Sequence, residues 1–175
     1  MPSSDTSDLT GVFRTVMRRV ASTVTVITAA DAKEGLGREH GMTATAVSSL
    51  SMDPPALLVC VNQRTLLHDL MLRGPGFCVN VLAHDQSRVS AAFSGSVSPE
   101  ARFAVGDWRT AENGLRFLAD GMASLFCRNT ATVPYGTHTI FVGEVVEARQ
   151  HDAERPLLYQ DTRYCRCEPI DAVPA

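Results

Sequence analysis

A mainly β chain, folded as a closed or nearly closed barrel with a few peripheral helices, is what three features of this sequence predict. Most periodic stretches are short and rich in β-branched and apolar residues, as in 23–29, TVTVITA. Helical spacing is confined to one long stretch near the N-terminus and two short ones further on. The C-terminal third returns to long strand-like runs on either side of Pro134-Tyr135-Gly136.

Taken in chain order, residues 1–9 read as a flexible lead, 10–168 as a single domain and 169–175 as a tail. Leu9, Val12, Phe13, Val16, Met17 and Val20 recur at helical spacing, with Arg14, Arg18 and Arg19 opposite. They predict an amphipathic helix capped by Ser7, with its apolar stripe in the core. A strand follows over 23–29, then a turn over 31–37 and a second strand over 40–46. Residues 51–55, SMDPP, are expected to stop regular structure, because proline lacks the ladder donor. The apolar run 57–61 fits a strand buried on both faces. Thr65 is placed to cap a short helix carrying Leu66, Leu67, Leu70 and Met71, closed by Gly74. Residues 77–82 read as a strand, and Asp85 opens a short helix with Val89, Ala92 and Phe93 on one side and Gly95 after it. Residues 95–121 look loop-rich, with Trp108 and Phe103 as loop packing. Ala123, Leu125, Cys127, Ala131 and Val133 share one parity and Ser124, Arg128, Thr130 and Thr132 the other, which predicts a half-buried antiparallel strand. Strands over 137–148 and 157–160 close the chain.

Composition narrows the function. With 45% hydrophobic and 20% charged residues and a net charge of -3, the chain is an ordinary soluble globular protein. It has no clustered basic face for nucleic acid. No apolar run approaches the ~20 residues of a membrane helix, and residues 1–10 lack a signal-peptide core, so a cytoplasmic protein is expected. Cys60, Cys78 and Cys127 lie in apolar runs, where cysteine acts as a small hydrophobe. Cys165 and Cys167 lack the second pair of a zinc site, and an odd count of five argues against a disulfide framework. The histidines are too scattered for zinc, so no metal is expected. No G-x-G-x-x-G, Walker A or G-x-S-x-G motif occurs, and the carboxylates are dispersed. One stretch stands apart: 41–49, GMTATAVSS, is built from small side chains and hydroxyls. Small residues let a flat ring approach the backbone, and hydroxyls and free N–H groups bind phosphate and carbonyl oxygens. A Ser/Thr-rich strand and turn without a ligand has the same composition.

A resemblance bears on that choice. In order along the chain come Phe13-Arg14, 20–28 (VASTVTVIT), 41–44 (GMTA), 48–51 (SSLS), 53–55 (DPP), 77–82 (FCVNVL), Asp85-Gln86 and Phe93. They are followed by 138–145 (HTIFVGEV), 156–159 (PLLY) and Tyr164. Each segment is weak alone. In this order, over residues 10–166, they resemble the flavin reductase domain family, the FMN-binding split barrels that supply reduced flavin to two-component monooxygenases. The resemblance implies a split β-barrel that reduces FMN or FAD with NADH or NADPH, works as a homodimer and passes reduced flavin to a separate monooxygenase. It also implies hydride transfer from nicotinamide C4 to flavin N5, with the protein supplying orientation.

By the same resemblance, Thr43, Ala44, Thr45, Ala46, Val47, Ser48 and Ser49 line the flavin ring and part of its tail. Asn62, Arg64 and Thr65 meet the ribityl-phosphate end. Phe77, Asn80 and Gln86 complete the pocket, and His138 is the catalytic-site residue near the nicotinamide. Three positions depart from the family pattern. Thr45 stands where many members have Asn or Ser, and Leu67 replaces a Ser or Thr. Thr137 replaces an Asp whose carboxylate would raise the pKa of His138. Bland readings stand beside these: His138 as a packed strand-end residue in parity with Ile140 and Val142, Asn80 as a partner for barrel backbone, Arg64 as a solvated charge, and Glu144 as structural. Two rival functions are an oxidase of the pyridoxamine-phosphate type on a similar barrel, for which no basic set is visible, and a flavin-binding protein without reductase turnover.

Overall fold

The computed structural model describes residues 5–31, 39–151 and 155–170; the 31–37 turn, apart from Asp31, lies outside them, as do residues 1–4 of the lead and 171–175 of the tail. In chain order the elements are α1 (Asp5–Arg19), β1 (Ser22–Thr23), β2 (Thr25–Ala30), β3 (Glu39–Ala44), β4 (Val47–Met52), β5 (Pro55–Asn62), α2 (Leu66–Arg73) and β6 (Gly76–Val81). Next come α3 (Ser87–Ala91), continued by a wide π turn over Ala92–Ser96, and a 3-10 turn over Pro99–Ala104. The remaining strands are β7 (Trp108–Thr110), β8 (Arg116–Leu118), β9 (Ala123–Tyr135), β10 (His138–Gln150), β11 (Leu157–Gln160) and β12 (Arg163–Arg166).

Seven strands form one antiparallel sheet in the order β3-β2-β6-β9-β10-β5-β4. The two edge strands are consecutive in the chain, joined only by Thr45 and Ala46. The sheet therefore curls into a barrel whose edges are linked by covalent chain and stay unpaired as a ladder, which is the predicted split barrel. Alternation sets its inside. Along β5, Leu57, Val59 and Val61 are buried while Ala56, Leu58, Cys60 and Asn62 are half-buried, so the run is covered unequally and not on both faces alike. On β10 the buried parity is Thr139, Phe141 and Gly143. Leu57, Val59, Val61 and Phe141 join Ile27, Phe77, Val79 and Cys127 in the main core.

Helix α2 plugs one end of the barrel with Leu67, Leu70 and Met71, all without exposed surface. Its N-cap is Thr65, whose side chain accepts from His68 N, and Gly74 N–H returns to Leu70 O, as the sequence predicts. A second core forms outside the barrel, where Phe93, Phe103 and Trp108 pack with centroids 4.9–5.3 Å apart.

Several expectations are corrected. Ser7 lies inside α1, which begins at Asp5. The SMDPP segment does not stop regular structure: it is the tight turn of a β4–β5 hairpin, with Met52 paired to Pro55. Prolines are tolerated there because the turn and the first strand position need no ladder N–H. The loop-rich stretch contains the β7–β8 hairpin. The parity expected for β9 fails: Ser124 and Phe126 are fully buried, and Ala131 and Val133 are exposed. β6 pairs with β9 only as far as Arg128, so the second half of β9 loses its neighbour on that side. The apolar stripe of α1 is not core in this chain, since Leu9 and Phe13 are 68% and 63% exposed.

Gly143 sits where β10 slips register against β9, a bulge that helps the sheet curl. A Cβ there would lie 2.6 Å from Phe77 Cζ and 2.8 Å from Cys127 Cβ, both in the main core. Gly143→Ala is expected to destabilise the fold by about 1–3 kcal/mol in urea unfolding, the usual cost of overpacking. An unchanged midpoint would show that the core is looser at this point.

Candidate functional site

Thr45 and Ala46 carry the chain across the split, and the backbone is pinned on both sides of them. Thr25 Oγ1 donates to Ala44 O at 2.8 Å, and Cys60 N donates to Ala46 O at 3.0 Å. Thr43 Oγ1 donates to Ser90 O at 2.7 Å, so this hydroxyl anchors β3 to α3. Thr45, Ala46, Ser48 and Ser49 are exposed, and Val47 turns half-buried toward the core. The segment separates two openings. On one side a cavity of about 420 Å3 lies between Thr45, Phe13 and Met17 of α1, Val20 and Tyr159. On the other, a groove of about 480 Å3 at the end of the barrel opposite α2 is lined by Val47, Ser48 and Ser49 with the aliphatic side chains of Leu57, Val79, Leu125 and Val145. A wall of small residues beside an aliphatic floor suits a flat, partly apolar ligand.

The other predicted groups meet at the end of β5. His138 pairs with Asn62 across the β5–β10 ladder, and Ile140 pairs with Cys60, whose N–H reaches Ala46. Two residues of strand, roughly 7 Å, therefore separate the Ala46 rung from the Asn62–His138 rung. Residues 43–49, 62–65 and 138, distant in sequence, are neighbours through two ladders.

The turn after β5 is self-supported. Asn62 Oδ1 accepts from Arg64 N at 3.0 Å, and Thr65 Oγ1 donates to Asn62 O at 2.8 Å. This is the local bonding that favours Asn and Thr in turns. It leaves Arg64 exposed, with no ion pair among the described residues. His138 is exposed and lies on the outward parity of β10, so it is not a packed strand-end histidine. Its Nδ1 lies 2.9 Å from Thr137 Oγ1, a hydroxyl contact where a carboxylate was the family pattern.

Three predicted residues do not face this site. Phe77 has no exposed surface and lies in the main core. Asn80 is fully buried: Nδ2 donates to Val26 O at 3.0 Å, and Oδ1 accepts from Leu118 N at 2.9 Å and Ser124 Oγ at 3.0 Å. Gln86 is 8% exposed, with Oε1 accepting from Ala83 N and Nε2 donating to Asp120 O, both at 2.9 Å. Gln86 touches a separate cavity with Asp85 and Arg88, which shares no lining residue with the two at the split. Phe77 is held by core packing, and the amides of Asn80 and Gln86 are engaged by other groups of the chain, because a buried polar atom must find a partner.

Gln63, His68 and Thr139 also meet here, and none of them is among the residues the sequence marks. Gln63 Nε2 donates to His138 O at 3.0 Å, and its N–H donates to Thr137 O at 3.0 Å. No motif marks them; only the β5–β10 register brings them together. Two buried thiols stay out of the chemistry: burial pushes Cys127 up to about 12 and raises Cys78 as well, so neither supplies a thiolate near neutral pH. No cluster of three metal-ligating side chains occurs among the described residues.

A sequence profile of the flavin reductase like domain matches residues 17–168. The reductase component of the FADH(2)-dependent resorcinol hydroxylase of Rhizobium sp. (strain MTP-10005) is 54% identical over 157 residues, 90% of this chain and 87% of that protein. The FMN reductase (NADH) RutF of Pseudomonas syringae pv. syringae (strain B728a) is 36% identical over 152 residues, 87% of this chain and 83% of that one. The solved structure of the Streptomyces globisporus C-1027 NADH:FAD oxidoreductase SgcE6 in complex with NAD and FAD fragments matches with a TM-score of 0.83 at 29% identity, over 98% of this chain and 100% of that chain.

Asn80→Ala should cost about 2–4 kcal/mol of stability in chemical denaturation, because it strands a buried N–H and a buried carbonyl at once. Cofactor affinity of the folded fraction should stay at the parent value. A variant as stable as the parent that has lost cofactor affinity would return Asn80 to the site.

Proposed function

Because the chain belongs to the flavin reductase like domain family, we propose that it is the NADH-dependent flavin reductase component of a two-component system, passing reduced flavin to a separate monooxygenase. One observation carries this: the 54% identity to the reductase component of a hydroxylase, sustained over 90% of the chain.

The residues at the split fit a flavin. Ala46 presents only a methyl group, the hydroxyls of Ser48 and Ser49 are exposed, and the adjoining groove is aliphatic. A bound flavin supplies the acceptor for the hydride of reduced nicotinamide, chemistry that belongs to the cofactors. The protein's work is placement. In this reading the 45–49 wall holds the ring, with Thr43 and Ala44 fixing the backbone that leads to it. Asn62 and Thr65 shape the turn that presents Arg64, whose guanidinium fork matches a phosphate. His138 holds the nicotinamide, as a hydrogen-bonding group more than an acid or base. Its Nδ1 is engaged by Thr137, and its Nε2 makes no hydrogen bond among the described residues.

We further propose a homodimer. Leu9, Val12, Phe13, Val16 and Met17 leave a continuous apolar face on α1 beside the cavity at Thr45, and exposed apolar patches of this kind mark interfaces. Cytoplasmic placement is supported by five free cysteines, which suit a reducing compartment. No helix among the described residues is long and apolar enough to cross a membrane.

Steady-state oxidation of NADH with FMN, FAD and riboflavin in turn tests the activity. Turnover well above the flavin-free rate is expected, with NADH preferred over NADPH; tight flavin binding without turnover would favour the carrier. Ala46→Trp should fold normally and lose most flavin affinity in a fluorescence titration, and unchanged affinity would move the ring elsewhere. His138→Ala should raise the apparent KM for NADH roughly 2- to 13-fold, the loss of one hydrogen bond, with little change in flavin affinity. Light scattering at micromolar concentration should give twice the chain mass, falling to the monomer mass in Phe13→Asp.

A further inference from the structure

His68 is a buried imidazole to which the reading above gives no task. It is 7% exposed and packs edge-on against Phe141 with centroids 5.5 Å apart. Its Nε2 lies 2.9 Å from Thr139 Oγ1. Gln63 Nε2 approaches the same hydroxyl at 3.4 Å while donating to His138 O at 3.0 Å. The backbone of His68 is also tied in, since its N–H donates to Thr65 Oγ1 at 3.2 Å. One residue thus grips the Asn62–Thr65 turn through its main chain and the start of β10 through its ring. It does so from the core side, through Thr139 on the Val61 rung, one rung along from the outward-facing Asn62–His138 pair.

The arrangement has a cost. His68 Nδ1 is buried without a hydrogen-bond partner among the described residues, and the nearest carboxylate oxygen, Asp69 Oδ1, is 3.8 Å away. A buried, unpaired nitrogen lowers stability, and an apolar residue of similar size would avoid that. Departures of this kind from an all-apolar plug are expected where function needs them. Leu67, Leu70 and Met71 fill the rest of that barrel end.

We propose that His68 is a positioning residue for the nicotinamide side of the site, holding His138 in register with the Asn62–Arg64 turn through Thr139 and Gln63. The inference rests on the reading of His138 given above. Thr139 faces inward and His138 outward on consecutive residues of one strand, so a displacement of the Thr139 hydroxyl is passed to His138 by a single peptide unit. Gln63 closes the loop, because its amide spans both residues.

The test uses the full chain with FMN and NADH. His68→Leu keeps the bulk and removes the hydrogen bond; His68→Gln keeps an amide near the Nε2 position. His68→Leu should raise KM for NADH roughly 2- to 13-fold, the range for one lost hydrogen bond, with kcat and FMN affinity within about twofold of the parent. His68→Gln should recover most of the loss. In a His138→Ala background, His68→Leu should add less than about twofold, because the two act in series. An unchanged KM in a folded His68→Leu protein, or the same increase in both backgrounds, overturns the proposal. If His138→Ala raises KM and His68→Leu does not, this inference fails alone. If His138→Ala leaves KM unchanged, the reading of His138 fails and takes this inference with it. Should His68→Leu not fold, Thr139→Val removes the same link and carries the same expectations, with Thr139→Ser as the recovery.

Discussion

Two hydrogen bonds beside the split of the barrel, Thr25 Oγ1 to Ala44 O and Cys60 N to Ala46 O, fix each edge strand to its own ladder neighbour and so hold the ends of the segment that spans the opening. A seven-stranded sheet with free edges would expose unpaired backbone groups along both of them. Here the two edges, β3 and β4, are consecutive, so the chain itself spans the opening and needs pinning only at its ends. The result is a short exposed segment held at fixed points on either side. Small side chains at 44–49 follow from the same constraint, because the segment must pass between a helix-side cavity and an aliphatic groove without filling either.

The two ends of the barrel are treated differently, and that difference locates the chemistry. α2 closes one end with three fully buried side chains, while the other end stays open as the groove beside Val47, Ser48 and Ser49. The helix that forms the plug starts at the turn carrying Asn62 and Arg64, so the stability of the core and the placement of the polar site are built from one loop. Asn80 serves a related purpose on the other wall, joining β2, β8 and β9 through one buried amide. Fully satisfied polar groups of this kind fix one packing among many similar apolar ones.

The N-terminal helix illustrates the limit of a single chain. Its apolar stripe has the spacing of a core-facing helix, and the expectation that it joins the core of this chain fails because the barrel interior is already filled by β2, β5, β6, β9, β10 and α2. Periodicity reports that a face wants burial. It does not report which chain supplies the cover.

Sequence by itself determined the strand periodicity, the mainly β class, the Thr65 cap and Gly74 stop of α2, and the small-residue stretch at the split, because each depends on neighbours a few residues apart. The order of short segments also carried the family. Tertiary structure alone decided which way alternate side chains point. Phe77 and Asn80 have opposite parity on β6: closure of the barrel packs Phe77 into its interior, and the β7–β8 hairpin covers Asn80 on the outer face, so neither turns toward a ligand. The β4–β5 hairpin, the failure of parity along β9 and the meeting of Asn62, His68, Thr139 and His138 belong to the same class. Register is a relation between strands distant in the chain, set by the summed burial of whole faces, and no local run of residues encodes it.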